Sequence, residues 1–367
     1  MGVIIALAFA LALVILHRRR RDTCCKEAPY HPVTPVTPLR RTRTEIAIQA
    51  IKKDNEDAEK VEEDGFALRA LLPETDAPLL QSLEALLQTD PSERLGEGKD
   101  VSKKYGKYDS LKLACAWKVD HPRNLDRYTT GMKRVQKELK LLQNKGKNVS
   151  NVPGLPVKTS RVRSFTLSEA CNEVILLHGV NPGRLLALLS MGLNERYSGS
   201  GAGTAFGDGI YLAEDAGKTD QYVGPDSAYE PSSELHKWLY SETVPHPEDV
   251  LYVLVVRAAL GFPVRTQRTL DNSKKAKTHD LRAARVTSMD DGAPIFPPGI
   301  CRELSAVPGV TPPICHHSLI AELGKDIVRY REFVLFHSEY VHIDYVIAYH
   351  RYNGSEKLRT ADIPYQA

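Results

Sequence analysis

The chain has 367 residues, of which 42 % are hydrophobic and 26 % are charged, as in an ordinary globular protein. This length suffices for one large domain with additional segments or for two medium-sized domains. The formal net charge is only +3, which excludes a broad polyanion-binding surface, so we expect no direct binding of nucleic acid.

The N-terminus begins with an uninterrupted apolar run over residues 2–16, and four consecutive arginines occupy positions 18–21. The run is short for a spanning helix and near the length of a signal-peptide core. However, the positive charges follow the run, and no small-residue cleavage site is evident. The positive-inside rule therefore predicts a signal anchor at residues 1–21, with the rest of the chain facing the cytosol. A cleaved secretory signal and a mitochondrial address are the alternatives.

Residues 22–74 have the composition of a linker and charged spacer, because proline and threonine are frequent first and acidic residues later. Leucines over 77–87 fit one helical stripe, and apolar residues alternate over 111–119 as in a strand. Apolar residues then recur at steps of three and four over 125–142, which predicts an amphipathic helix. We assign these three elements to one segment, residues 75–160.

The sequence E-V-I-L-L-H-G over 173–179 is an apolar strand that ends in a His-Gly pair. Asn181 and Pro182 have the residue types that begin a helix, and Gly192 has the type that ends one. The segment F-G-D-G-I-Y-L-A over 206–213 predicts a tight glycine turn followed by a strand. Asp215 then caps a predicted helix that runs to about Tyr222.

The C-terminal half contains a strand predicted over 249–258 and two closing strands predicted over 330–336 and 344–350. Between them, residues 261–319 are irregular and rich in proline and charge. Cys315, His316 and His317 are adjacent in this region, and adjacent side chains point apart in most backbones. Because the sequence offers no second cluster with ligand spacing, we expect no metal site.

Taken in order, these motifs resemble the catalytic domain of the poly(ADP-ribose) polymerase family, the diphtheria-toxin-like ADP-ribosyltransferases. The resemblance rests on H-G, on F-G-D-G-I-Y-L-A followed by K-T-D-Q-Y, and on Y-R-E-F-V-L-F followed by E-Y-V-H-I-D-Y-V-I-A-Y. It implies an α+β fold with a split, mostly antiparallel sheet flanked by helices. The catalytic core would span residues 161–352, with a short tail at 353–367. NAD would be the co-substrate and proteins, including the chain itself, the candidate acceptors.

The resemblance also assigns roles to single residues of the NAD site. It implies that His178 hydrogen-bonds the ribose next to adenine and that the backbone of Gly179 holds the nicotinamide carboxamide. Thr219 stands where the family usually has serine, and its hydroxyl would bond the same carboxamide. Tyr222 would stack on the nicotinamide ring, with Tyr211 on the other side of the pocket.

Glu332 matches the family's catalytic glutamate, which stabilises the positive charge that develops on the ribose. His178, Tyr211 and Glu332 thus form the expected H-Y-E triad. Glu339 is a second carboxylate nearby, but it lies in the turn after the strand and fits the motif register poorly.

Asp208 departs from the pattern, since several polymerases carry lysine at that position, and this favours transfer of single units. The complete set of His178, Tyr211 and Glu332 leaves polymer synthesis open, because elongating members of the family need that glutamate. The glycine-rich residues 194–204 are expected to form the lid of the donor site. Two alternatives belong to other classes of function. One is a non-catalytic module that binds NAD or ADP-ribose and acts by recruitment, and the other is a secreted toxin-like transferase.

Overall fold

The computed structural model describes residues 68–89, 95, 108–162, 164–198, 204–271, 282–298, 301–327 and 329–359. The predicted anchor at 1–21, most of the spacer and residues 199–203 of the predicted lid lie outside these residues. Within the described ranges, no helix is both long enough and apolar enough to cross a membrane. The anchor and the segment boundaries therefore stay predictions.

Helices and strands alternate over residues 70–213, two short helices follow, and the remaining described elements are strands and 3-10 turns. The helices are α1 (Ala77–Leu86), α2 (Pro122–Asn144), α3 (Pro182–Met191), α4 (Ala216–Thr219) and α5 (Glu234–Leu239). The strands are β1 (Ala70–Pro73), β2 (Ser110–Asp120), β3 (Glu173–Val180), β4 (Ile210–Ala213), β5 (Leu251–Ala259), β6 (Pro263–Thr266), β7 (Ser318–Ala321), β8 (Glu332–Leu335), β9 (Val341–Asn353) and β10 (Glu356–Lys357).

The strands form a 10-stranded sheet in the order β1-β2-β9-β5-β3-β4-β8-β7-β6, with β10 paired to β9. All of these pairings are antiparallel except that of β6 with β7. Helices cover both faces, because α2, α3 and α5 share one apolar core with the sheet and α1 shares another. The predicted α+β class with a mostly antiparallel sheet is therefore confirmed.

The strands β3 and β4 meet at a single residue pair, Leu177 with Ala213. On its other side, β3 pairs with β5 over its full length, from Glu173 to Val180. The last residues of β3 thus have β5 on one side and no paired strand on the β4 side. The expected split in the sheet lies at this point, and we call this gap in the strand pairing, beside His178 and Gly179, the β3–β4 crevice.

Most predicted helices and strands begin and end close to the predicted residues, because short-range sequence signals determine where they start and stop. Asn181 caps α3 through its side chain, Pro182 is the first helical residue, and Gly192 ends the helix with a φ of 78°. The helix predicted from Asp215 to Tyr222 differs. The α-helix stops at Thr219, and Asp220–Tyr222 forms a 3-10 turn.

The sequence reasoning also missed β6 and the start of β7, which it placed in an irregular segment over 261–319. Each strand is only 4 residues long. They pair in parallel across a long connection, so neither carries the alternation or the tight turn by which a hairpin is recognised.

Candidate active site

The first predicted site residue, His178, lies near the end of β3 and faces the β4 backbone. Its Nδ1 is 2.9 Å from the carbonyl oxygen of Tyr211, and a carbonyl only accepts, so Nδ1 carries the proton. Burial lowers the pKa of His178 below its usual value, although the Tyr211 carbonyl acts in the opposite direction. The neutral ring therefore presents Nε2 as a hydrogen-bond acceptor, which suits a sugar hydroxyl.

Gly179 is packed directly against the backbone of Thr219. A Cβ on Gly179 would lie 2.2 Å from the carbonyl oxygen of Thr219 and 2.9 Å from its carbonyl carbon. Real Cβ atoms do not approach backbone that closely, so only glycine fits at this position. The open side of β3 and the turn that carries Thr219 are thereby brought into contact.

Register across three strands places Glu332 beside this crevice. Ala213 pairs with Leu177 on one side and with Glu332 on the other. Adjacent strands lie about 4.7–4.9 Å apart, so the His-Gly end of β3 and the Glu332 backbone are separated by roughly 10 Å. The structure thus brings together His178, Gly179 and Glu332, which are far apart in the sequence.

The Glu332 side chain forms an ion pair that sequence reasoning did not identify. Nζ of Lys218 lies 2.9 Å from Oε1 of Glu332, and the two side chains are only 17 % and 16 % exposed. Burial acts to lower the pKa of Lys218, but the Glu332 carboxylate and Tyr222 outweigh it and raise the pKa above its usual value. Lys218 therefore stays charged and holds the carboxylate in a fixed position.

Arg331, the residue before Glu332, fixes the start of β8. Its Nε and Nη2 donate to the two carboxylate oxygens of Glu214 at 2.6 and 2.9 Å, in a bidentate pair. Glu214 directly follows β4, so this pair ties the beginning of β8 to the end of β4. Glu339 lies elsewhere, in the 3-10 turn Ser338–Tyr340, with its carboxylate 2.5 Å from Nη1 of Arg134.

Tyr211 holds the glycine turn in place through its hydroxyl. The hydroxyl donates to the carbonyl of Gly207 at 2.7 Å and accepts from the backbone N–H of Phe206 at 2.8 Å. Burial raises the pKa of Tyr211, and the nearby Glu332 and Asp208 carboxylates add to this, so the hydroxyl stays protonated. Because its hydroxyl is occupied, Tyr211 has only its ring to offer a ligand.

Thr219 and Tyr222 occupy the turn that follows β4. The Thr219 hydroxyl donates its proton to the carbonyl of Ala216 at 3.0 Å. Its oxygen is therefore left to accept a hydrogen bond from a ligand N–H. Tyr222 is 43 % exposed, and Nζ of Lys218 lies 5.2 Å from the centre of its ring. A partly exposed aromatic ring beside a charged ammonium is well placed to stack on a planar ligand.

Asp208, at the tip of the glycine turn, is tied to the connection between β6 and β7. Its backbone N–H donates to the carbonyl of Cys301 at 2.7 Å. Its carboxylate lies 3.3 Å from Nε of Arg302, a side chain that is 57 % exposed. The carboxylate therefore lies near Tyr211, before the N-terminal end of β4.

Among the described residues, Asp226, His236 and His246 have the spacing of metal ligands. Nε2 of His236 and Nε2 of His246 lie 3.0 and 3.5 Å from the carboxylate. The backbone N–H groups of Glu230 and Glu248 donate to the Nδ1 atoms of these histidines. A neutral imidazole whose Nδ1 accepts carries its proton on Nε2. Nε2 of His236 therefore donates to the carboxylate, whereas Nε2 of His246, at 3.5 Å, makes no hydrogen bond. A protonated Nε2 offers no lone pair to an ion, so these tautomers disfavour a metal site.

The Cys315-His316-His317 sequence is divided among separate partners. His316 Nδ1 is 2.9 Å from the carbonyl of Ser305, and His317 Nε2 is 2.8 Å from the carboxylate of Glu138. The cysteine thiol lies 3.7 Å from Glu303. Side chains held in three directions do not converge on one ion.

A family model described as the poly(ADP-ribose) polymerase catalytic domain matches residues 98–351, well over half of the chain. The match begins before β2 and ends within β9, so it includes every residue of the crevice described above. No curated protein matches the chain.

Proposed function

Because the chain belongs to the poly(ADP-ribose) polymerase family, we propose that it transfers single ADP-ribose units from NAD to protein side chains. ADP-ribosyltransferase activity with NAD as the substrate is what a catalytic domain of this family supports in general. The observation that supports an active enzyme is the Lys218–Glu332 ion pair at the edge of the β3–β4 crevice. A carboxylate that a charged lysine holds in a partly buried site can act on positive charge.

In the reaction, the C–N bond between nicotinamide and C1′ of its ribose breaks, and the electron pair leaves with nicotinamide. The acceptor's nucleophilic atom forms the new bond to C1′ and gives up its proton. Positive charge develops on the ribose between these events. Glu332 would stabilise that charge, and Lys218 would keep the carboxylate oriented before the substrate arrives.

The remaining residues would bind NAD before the bond breaks. His178 would accept a hydrogen bond at Nε2 from a hydroxyl of the adenine-side ribose. The carboxamide would bond to the Gly179 backbone and donate to the Thr219 hydroxyl, whose own proton is already committed to Ala216. Tyr222 and Tyr211 would enclose the nicotinamide ring.

Transfer of single units is supported by Asp208. Its carboxylate lies near Tyr211, at a position where several polymerases of the family have a lysine. A negative charge there would repel the pyrophosphate of an incoming ADP-ribose chain, and Arg302 at 3.3 Å compensates only in part because it is largely exposed. A protein acceptor carries no such obligatory phosphate.

The proposed function is tested with the purified full-length protein, NAD and mass spectrometry of the intact chain. We expect release of nicotinamide and additions of one ADP-ribose unit at each modified site. Ladders of several units on one site would contradict single-unit transfer while leaving the transferase intact. NAD binding without release of nicotinamide would instead support the recruitment module.

We further propose that residues 1–21 anchor the protein in a membrane with the catalytic domain in the cytosol. The apolar run followed by four arginines motivates this. Deleting residues 1–21 should move the protein from the carbonate-resistant membrane pellet to the soluble fraction. A control that deletes only residues 360–367 should stay in the pellet. If the full-length chain is already soluble after carbonate washing, the anchor hypothesis is wrong, and N-terminal sequencing decides whether a signal was cleaved.

A further inference from the structure

A buried ionic cluster holds the turn that carries Thr219 and Tyr222, through Asp220, which lies between them. Asp220 and Arg351 form an ion pair in which each side chain is only 1 % exposed. Nε of Arg351 lies 3.0 and 3.1 Å from the two oxygens of the Asp220 carboxylate. Tyr349 donates to Oδ1 at 2.5 Å, and Tyr108 donates to Oδ2. The carboxylate therefore has donors on both of its oxygens.

The cluster holds the backbone of the turn as well as a side chain. Nη2 of Arg351 donates to the carbonyl oxygen of Asp220 at 2.7 Å. The guanidinium also lies over the ring of Tyr108, 4.6 Å from its centre. Arg351 is thus fixed by stacking, by the carboxylate and by the turn's own carbonyl. Since Arg351 belongs to β9, the longest described strand at 13 residues, the turn is attached to the sheet.

Burial of an ion pair does not by itself explain this arrangement. Two charges removed from water stabilise a fold no more than well-packed apolar residues of the same volume would, and often less. A 3-10 turn of 3 residues also has no stability of its own. Its conformation must therefore be set by tertiary contacts, and the cluster around Asp220 supplies the directional ones.

The cluster acts on the residues that face NAD. Asp220 directly follows Thr219 and precedes Tyr222 by two positions. On the other side of the turn, the Thr219 carbonyl packs against Gly179. The turn is thus held between Gly179 and the Arg351 cluster, and any movement of Asp220 would displace Tyr222.

We propose that the Asp220–Arg351 pair, with Tyr349 and Tyr108, is a positioning device that sets the nicotinamide-binding turn before NAD arrives. A preorganised turn loses little conformational freedom on binding, so the pair contributes to affinity without touching the ligand. The inference rests on the proposed function, because it assigns the turn to nicotinamide.

The test uses the full-length protein and calorimetric titration with NAD and with nicotinamide. Tyr349→Phe removes one hydrogen bond to Asp220 and keeps the ion pair, and we expect both ligands to bind about threefold to tenfold more weakly. Asp220→Asn keeps the shape and removes the charge, and we expect at least a tenfold loss. If Asp220→Asn does not fold, the Tyr349→Phe result decides alone.

The matched control is Tyr128→Phe. Tyr128 is also a buried tyrosine, and it donates to the carboxylate of Glu173 at 2.8 Å, at the opposite end of β3 from His178. We expect this variant to lower the thermal midpoint as Tyr349→Phe does, with unchanged affinity for NAD and nicotinamide. Equal losses of affinity in both variants would show a general effect of stability and overturn the proposal.

A double-mutant cycle with Tyr222→Ala separates positioning from a merely structural role. If Tyr349 and Asp220 act through Tyr222, their effects on NAD affinity largely disappear in the Tyr222→Ala background. Additive losses would contradict this. Wild-type protein that does not bind NAD would reject the proposed function, and this inference with it. Wild-type binding with an unchanged Tyr349→Phe would reject this inference alone.

Discussion

Glu332→Gln is expected to slow ADP-ribose transfer by at least a hundredfold while NAD affinity stays within a few-fold of wild type. The substitution keeps the shape of the side chain and an oxygen that Lys218 can bond, but it removes the charge. In the proposed mechanism that charge acts on a cation that exists only in the transition state, so its loss should affect the rate far more than ground-state binding. Preorganised groups of this kind contribute about 2.7–4 kcal/mol. The measurement is single-turnover transfer at saturating NAD, beside direct titration.

Glu339→Gln is the matched control for this variant. Glu339 is a carboxylate only seven positions later in the sequence, yet its partner is Arg134 and its side chain is 26 % exposed. We expect its transfer rate to remain near that of wild type. A slow Glu339→Gln beside a normal Glu332→Gln would mean that the two carboxylates have been assigned the wrong way round.

Gly179→Ala is expected to weaken NAD binding at least tenfold, or about 1.4 kcal/mol. The added methyl group would overlap the carbonyl of Thr219 at 2.2 Å, and backbone cannot rotate away as a flexible side chain can. Overpacking of this kind typically costs about 1–3 kcal/mol. The methyl group would push on the turn of Thr219 and Tyr222, which carries the proposed NAD contacts, so NAD affinity should fall more than the thermal midpoint suggests.

Gly183→Ala provides the comparison, since it adds the same methyl group four residues later. Its Cβ would meet nothing closer than 3.8 Å, and the position lies in α3, where alanine is the better helix former. Affinity should be unchanged and the thermal midpoint equal or slightly higher. Gly179→Ala with wild-type affinity would show that the turn does not need this contact.

Much of the fold could be predicted because its signals are local. The helix α3 has a capping residue, a proline at its first position and a glycine at its end, and all three lie within twelve residues. The alternation that marks β2 and the three-to-four spacing in α2 are likewise contained within each element. Such patterns depend on backbone geometry alone, so no knowledge of neighbours is needed.

The ionic contacts of the site could not be predicted in this way. Lys218 and Glu332 are far apart in the sequence, and only the pairing of β8 with β4 brings them to 2.9 Å. Arg351 looks like a solvent-facing residue near the end of a strand, yet its side chain is 1 % exposed. A charged residue gives no sign in the sequence of whether it is solvated or paired.

The sequence by itself determined most element types and the ordered motifs, and the resemblance that those motifs carry implied the mostly antiparallel class. Periodicity, caps and motif spacing are properties of short segments, so they can be recognised without tertiary information. Only the tertiary structure decided that Lys218 orients Glu332, that the Tyr211 hydroxyl is committed to the glycine turn, and that Arg351 supports the turn of Tyr222. These contacts depend on register between distant strands, and a shift of one residue would turn each side chain to the other face of the sheet.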